Sequence, residues 1–160
     1  MQALIIDKEA ARLDHSLMTL MKAGIQVTGT GSLPVAETCI SCLGADLLVM
    51  ERGTVGDALG DILGMAEDRN PYLVSILRTP DVGKDQDELS PHFASLHCVV
   101  GQDVPNAVAV KLGLASLRAQ MSRAGSTSRS TPLVRERFAG LKTPMMARAA
   151  TPISAIAEAV

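Results

Sequence analysis

The chain has 160 residues, 47% of them apolar and 20% charged, with a formal net charge of -2. Those values suit one globular domain with a short appendage and exclude a fibrous or strongly basic protein. Three cysteines in a chain this long argue for free thiols rather than a secreted disulfide scaffold. The opening MQALIID reaches Asp7 without a leader pattern, and no apolar run approaches the ~18 residues of a membrane span, so a cytoplasmic protein is expected. Charge is unevenly placed: residues 1–105 hold fifteen acidic and seven basic side chains, and residues 106–160 two and eight. Such a split points to a basic segment that meets an acidic partner or the chain's own acidic body.

Residues 3–7 are a short apolar run ending on Asp7, the pattern of a strand covered on both faces. Leu13, Leu17, Leu20 and Met21 recur at helical spacing over residues 9–23, and Gly24 is placed to end that helix. A second strand is predicted at 25–28, and Ser32 with Pro34 opens a helix running to about Leu43. A third strand at 47–50 again ends on an acid, Glu51. Residues 55–67 carry helical periodicity despite Gly56, Gly60 and Gly64, each of which costs up to ~1 kcal/mol of helix propensity. A fourth strand is predicted at 72–77, one short helix within 81–91, a fifth strand at 96–100, and a last domain helix from Pro105 to about Arg123. Five buried strands alternating with helices give an α/β fold, a flavodoxin-like doubly wound five-stranded parallel sheet, over residues 1–123.

Residues 124–160 form the second region. The stretch from Ala124 to Ser130 has linker composition, and the pairs Thr131-Pro132, Thr143-Pro144 and Thr151-Pro152 restart short helical turns, so a basic docking tail is expected.

Ligands in such sheets sit at the carboxyl ends of the strands, and the residues there carry a likeness. The start Leu-Ile-Ile-Asp-Lys-Glu and the run Gly-Ala-Asp-Leu-Leu-Val-Met-Glu at 44–51 resemble the receiver (CheY-like) domain of two-component response regulators. The resemblance implies receiver topology and a pocket of paired acids that hold a divalent metal, an acceptor aspartate, a switch Ser/Thr after strand four and a lysine after strand five. Here Asp7 takes the first acidic position, Lys8 the second, and Glu51 that of the acceptor. Thr79 is the candidate switch hydroxyl, with Arg78 in that slot if the register moves by one. Gly101 stands at the lysine, followed by Gln102 where a proline is usual.

Lys8 places a cation where the metal would sit, so weak or absent metal binding is expected, with no cofactor. Glu51, one methylene longer than aspartate, is expected to pair with Lys8. The implied protein is an atypical, non-enzymatic pseudo-receiver acting as a protein-interaction module. A receiver that is still phosphorylatable is the first alternative, and a nucleotide or nucleic-acid binder using the tail arginines the second.

Cys39 and Cys42 form a Cys-x-x-Cys, but with Val35 and Leu43 their spacing places both thiols on the packing face of a helix, as small core groups. Gly29-Thr30-Gly31-Ser32 lacks the third glycine of a dinucleotide fingerprint and reads as a turn. His15, His92 and His97 show no ligand spacing. In the last domain helix Val110, Leu114, Leu117 and Met121 make one apolar stripe, and Val108, Leu112 and Ala115 a second beside it. That second stripe, with Arg118 and the tail residues Arg135, Arg137 and Phe138, is the candidate interaction surface, for a protein partner or a second copy in a homodimer. Nucleic acid is disfavoured, because the tail has one aromatic residue and no helix-turn-helix pattern follows the linker.

Overall fold

The computed structural model describes residues 1–127. The strands are β1 (Gln2–Ile6), β2 (Gln26–Thr30), β3 (Leu47–Glu51), β4 (Val74–Thr79) and β5 (Leu96–Gly101). The helices are α1 (Ala10–Lys22), α2 (Leu33–Leu43), α3 (Arg52–Val55), α4 (Leu59–Arg69), α5 (Val82–Leu89) and α6 (Asn106–Thr127), with a 3-10 turn at Gly56–Ala58. The strands are all parallel, in the order β2-β1-β3-β4-β5. This is the doubly wound arrangement expected from the sequence.

Strand alternation divides the core. Leu4, Ile6, Leu48, Met50 and Leu77 face one way and pack on Ala36 and Ile40 of α2 and on Ile62 and Leu63 of α4. Ala3, Ile5, Leu47, Val49, Val74 and Ile76 face the other way, toward Leu20 of α1 and Ala109, Val110 and Leu114 of α6. Both faces of the central strands are therefore covered, which is why they read as continuous apolar runs rather than alternating ones. The α6 backbone comes close to the sheet at Gly113, where a Cβ would lie 2.8 Å from Leu47 Cδ1 and 3.1 Å from Ile76 Cγ1. Gly29 does the same for α1, since a Cβ there would lie 2.8 Å from Leu13 Cδ1.

Several expectations are corrected. The helix predicted at 55–67 is broken: Gly56 takes φ +54°, a left-handed value that suits glycine, between α3 and the 3-10 turn. Gly29 and Thr30 belong to β2 rather than to a turn, because they pair with Ile5 and Ile6. β4 lies two residues later than predicted. Its end is carried on by pairing of Arg78 and Thr79 with β5, while Tyr72 sits in a turn in which its N–H donates to Asn70 Oδ1 at 2.9 Å. Helix α6 continues to Thr127, four residues into the stretch read as linker. Met121 leaves the buried stripe and is exposed beside Met1 and Tyr72 near the amino ends of β1 and β4. The face of α2 that packs on the sheet is Ala36 and Ile40; Cys39 is only partly buried, and Cys42, Val35 and Leu43 are exposed. Phe138, Arg135, Arg137 and the Thr-Pro restarts lie outside the described residues.

Two predictions follow from the packing. Gly64 in α4 has nothing near an added Cβ, so Gly64→Ala is expected to stabilise the protein by about 0.5–1 kcal/mol. Gly113→Val, which pushes on two fully buried side chains, should cost about 1–3 kcal/mol; urea unfolding of both variants checks the pair. Alkylation of the folded protein should proceed fastest at exposed Cys42. It should be slowest at Cys98, whose thiol burial pushes up, so that less of it is thiolate at a given pH; mass mapping against time at two pH values reads the order.

Candidate functional site

The carboxyl ends of β1, β3 and β4 bring Asp7, Glu51 and Arg78 to one edge of the sheet. By alternation they continue the rows Ala3–Ile5, Leu47–Val49 and Val74–Ile76, so all three belong to the α1/α6 side. All are buried, with Asp7 5%, Glu51 4% and Arg78 5% exposed. Charges this far from water need partners, and each finds them within the chain.

Asp7 is held by Arg12, from the first turn of α1, in a two-pronged pair: Nε donates to Oδ2 at 2.9 Å and Nη2 to Oδ1 at 3.0 Å. The Glu9 N–H also donates to Asp7 Oδ1 at 2.8 Å, and Arg12 Nη1 reaches Glu9 Oε2 at 2.6 Å. The hydrogen bond to Asp7, more than the surrounding charges, holds the Arg12 guanidinium above its ordinary range. Glu51 accepts from Thr54 Oγ1 at 2.7 Å and from Gln102 Nε2 at 3.1 Å. Its longer side chain folds back over Gly53, where a Cβ would lie 3.1 Å from Oε1. Glycine at 53 is thus part of what lets glutamate fit.

The expected pairing of Lys8 with Glu51 is corrected. Lys8 is exposed, and its Nζ donates to the Gly53 carbonyl at 3.0 Å. Its link to Glu51 is indirect: the Lys8 N–H donates to Thr54 Oγ1 at 3.0 Å, and that hydroxyl donates onward to Glu51. The ammonium stays in water because the Thr54 hydroxyl and the Gln102 amide already satisfy the carboxylate.

Neighbouring residues of β4 separate to opposite faces. Thr79, 1% exposed and paired in register with Gly101, donates its hydroxyl to Asp85 of α5 and accepts from the Asp81 N–H at 3.2 Å. Asp85 in turn lies 3.6 Å from Arg52 Nε. Arg78 instead donates from Nη2 to the carbonyls of Gln102 at 2.8 Å and Val104 at 3.0 Å, bracing the loop between β5 and α6. Burial, and then the charge of Arg12, holds the Arg78 guanidinium below its ordinary range. At Gly101 the Asp103 carboxylate fills the space where a side chain would begin.

A receiver-type metal does not fit these residues. Lys8 next to Asp7 is a cation whose Nζ donates to the Gly53 carbonyl, Asp7 is committed to Arg12, and among the described residues no three His, Cys, Asp or Glu side chains converge as a metal-binding group. Arg12, Thr54, Asp85 and Arg52 were missed in the sequence. Signals existed for Arg12, five residues after Asp7 on the first turn of a helix that begins at the strand end, and for Thr54, three residues after Glu51; Arg52 and Asp85 meet only through tertiary packing.

No helix among the described residues is long and apolar enough to cross a membrane. No protein-family model matches the sequence, and neither does any curated protein. Solved structures do. A CheY-like response regulator receiver domain protein from Methanospirillum hungatei is 19% identical, with a TM-score of 0.65, over 76% of this chain and 97% of that one. A response regulator receiver protein from Sinorhizobium medicae is 18% identical, with a TM-score of 0.63, over 75% and 96%. An orphan response regulator of H. pylori is 16% identical, with a TM-score of 0.61, over 74% and 97%. With the strand order β2-β1-β3-β4-β5, the described residues have the receiver fold of response regulators.

Proposed function

We propose that the chain is an atypical receiver that works without phosphorylation, catalyses no reaction and serves as a protein-interaction module in bacterial two-component-type signalling. The observation that carries this reading is the closed set of partners at the sheet edge: Asp7 with Arg12, Glu51 with Thr54 and Gln102, Thr79 with Asp85. Phosphoryl transfer to a carboxylate needs a free oxygen held in line, a cation over the developing charge, and a hydroxyl and amine to hold the product. Glu51 has both oxygens engaged, Gly101 offers no amine, and the Asp103 carboxylate adds negative charge where the amine would stand. The same pairs hold the β5–α6 loop and the start of α5 in one arrangement, so the surface a partner meets is set by folding.

The contact surface lies on α6. Val108 and Leu112 are 44% and 42% exposed, and Ala115 and Arg118 continue the exposed line along the helix. An apolar line of this kind beside a well-packed opposite stripe favours a protein surface as occupant, and a second copy of the chain is the simplest.

Amide NMR of the full chain during titration with magnesium and beryllofluoride tests the reading. No saturable shift is expected at the ends of β1 and β3, with a gain in the Lys8→Asp, Glu51→Asp double variant. A saturable response of the unaltered protein at those strand ends would mean a phosphorylatable receiver. In the same spectra, Val108, Leu112 and Ala115 should shift with protein concentration; concentration-independent shifts there would exclude the homodimer.

A further inference from the structure

The sheet ends laterally at β2, which pairs with β1 on one side and, among the described residues, with no strand on the other. The Gln26 N–H donates to the Met1 carbonyl at 3.2 Å, and the Thr30 carbonyl accepts from the Asp7 N–H at 3.0 Å. Successive residues of a strand turn their backbone groups to alternate sides, so Gln26, Thr28 and Thr30 serve β1 while Val27 and Gly29 direct theirs outward. Proteins ordinarily blunt such a free strand with a charged side chain, a proline or a bulge. β2, Gln-Val-Thr-Gly-Thr, has none of these, and its register with β1 is unbroken. The helices beside it are bare in the same direction. α2 packs on the sheet through Ala36 and Ile40 and on α4 through Ser41, whose hydroxyl donates to Met65 Sδ at 3.6 Å. By helical spacing Val35, Cys39 and Leu43 then fall on the flank turned away from α4, toward β2, while Glu37, the one charged residue of α2, falls with Ser41. Val35 and Leu43 are 48% and 51% exposed, and Cys39 is partly buried. On the other face of the sheet Leu13 and Leu17 of α1 lie over Gly29, and the same line of that helix ends at exposed Met21.

We infer that the free side of β2 is a docking surface for a second copy of the chain, the two β2 strands lying antiparallel so that two sheets join into one. The register of the sequence favours a copy over another extended segment. A two-fold axis at Thr28 sets Val27 opposite Gly29 of the copy, and Gly29 opposite Val27, as hydrogen-bonded pairs, so every outward N–H and C=O of both strands is answered. The two Thr28 side chains meet on the axis, on the α2 side of the sheet with Leu4, a cross-strand pair that sheets favour. The same axis reverses α2. Val35 and Leu43 stand four residues to either side of Cys39, so each meets the other across the axis and Cys39 faces its copy. Residues 1–105 carry fifteen acids against seven bases, yet neither β2 nor this flank of α2 brings a charge into the contact, so two copies meet here without repulsion. Helix α6 lies over β3, β4 and β5, so the contact is independent of the α6 line. Five residues of strand and one helix face make a small interface, which suits reversible association governed by concentration.

Thr28→Cys in the full-length protein sets two thiols opposite one another in a non-hydrogen-bonded pair, where a Cα spacing of about 4.5 Å lies within the span of a disulfide. Mild oxidation with peptide mapping is expected to join position 28 to itself, and Gln26→Cys, whose copies lie on opposite sides of the axis, should not crosslink to itself. Val35→Lys with Leu43→Lys, at exposed positions, sets like charges across the axis and should slow the position-28 crosslink about tenfold with an unchanged melting temperature. Leu112→Lys should leave that crosslink in place, which separates this surface from the one on α6. If Thr28→Cys does not fold, sedimentation of the Leu112→Lys variant decides, with self-association that rises with protein concentration and is lost when the lysine pair at 35 and 43 is added. Equal crosslinking at positions 26 and 28, a rate indifferent to the lysine pair, a crosslink lost in Leu112→Lys, or a Leu112→Lys variant that stays monomeric at every concentration would each overturn the proposal.

Discussion

The parallel sheet delivers the ends of β1, β3 and β4 to one edge and buries what they carry, so two carboxylates and one guanidinium there must be compensated within the protein. The rest of the site is arranged around this demand. Arg12 is drawn back from α1 onto Asp7, Thr54 and Gln102 close over Glu51, and the Gly53 backbone leaves room for the extra methylene of glutamate. The solution uses side chains of the chain itself. It is a static one: none of these partners has to arrive.

Alternation along β4 then keeps two kinds of chemistry apart. Thr79 points to the side of α5 and donates to Asp85, which is ion-paired with Arg52. Arg78 points to the side of α1 and α6 and braces the loop between β5 and α6 through two carbonyls. One side thus holds α5 in place, and the other braces the loop that leads into the start of α6. The exposed residues Val108 and Leu112 lie just beyond that start, so the edge and the candidate contact surface are mechanically adjacent.

The strands, the helices and the doubly wound class were legible in the sequence because apolar runs and helical spacing are local, while the strand order came through the likeness to receivers. That Asp7 and Glu51 stand at strand ends was also legible, because each closes an apolar run. Partnership was not. Glu51 with Lys8 was the reasonable pairing by charge, but the carboxylate took the hydroxyl of Thr54, three residues on, and the amide of Gln102, which only the folded loops bring near, and the exposed ammonium donates to the Gly53 carbonyl. Cys42 and Val35 illustrate the same limit. Helical spacing defined a stripe on α2 correctly, but which stripe meets the sheet depends on the rotation of the helix, and the small residue Ala36 with Ile40 won the contact.

The sheet edge depends first on the pair of Asp7 and Arg12. A double-mutant cycle of Asp7→Asn and Arg12→Gln, read by urea unfolding in the absence of divalent ions, measures it most directly. The account predicts a coupling energy of about 1–3 kcal/mol between the two residues, with no added stability when magnesium is supplied to the unaltered protein. Additive effects within about 0.3 kcal/mol, or a magnesium-dependent gain in stability that Asp7→Asn abolishes, would contradict it.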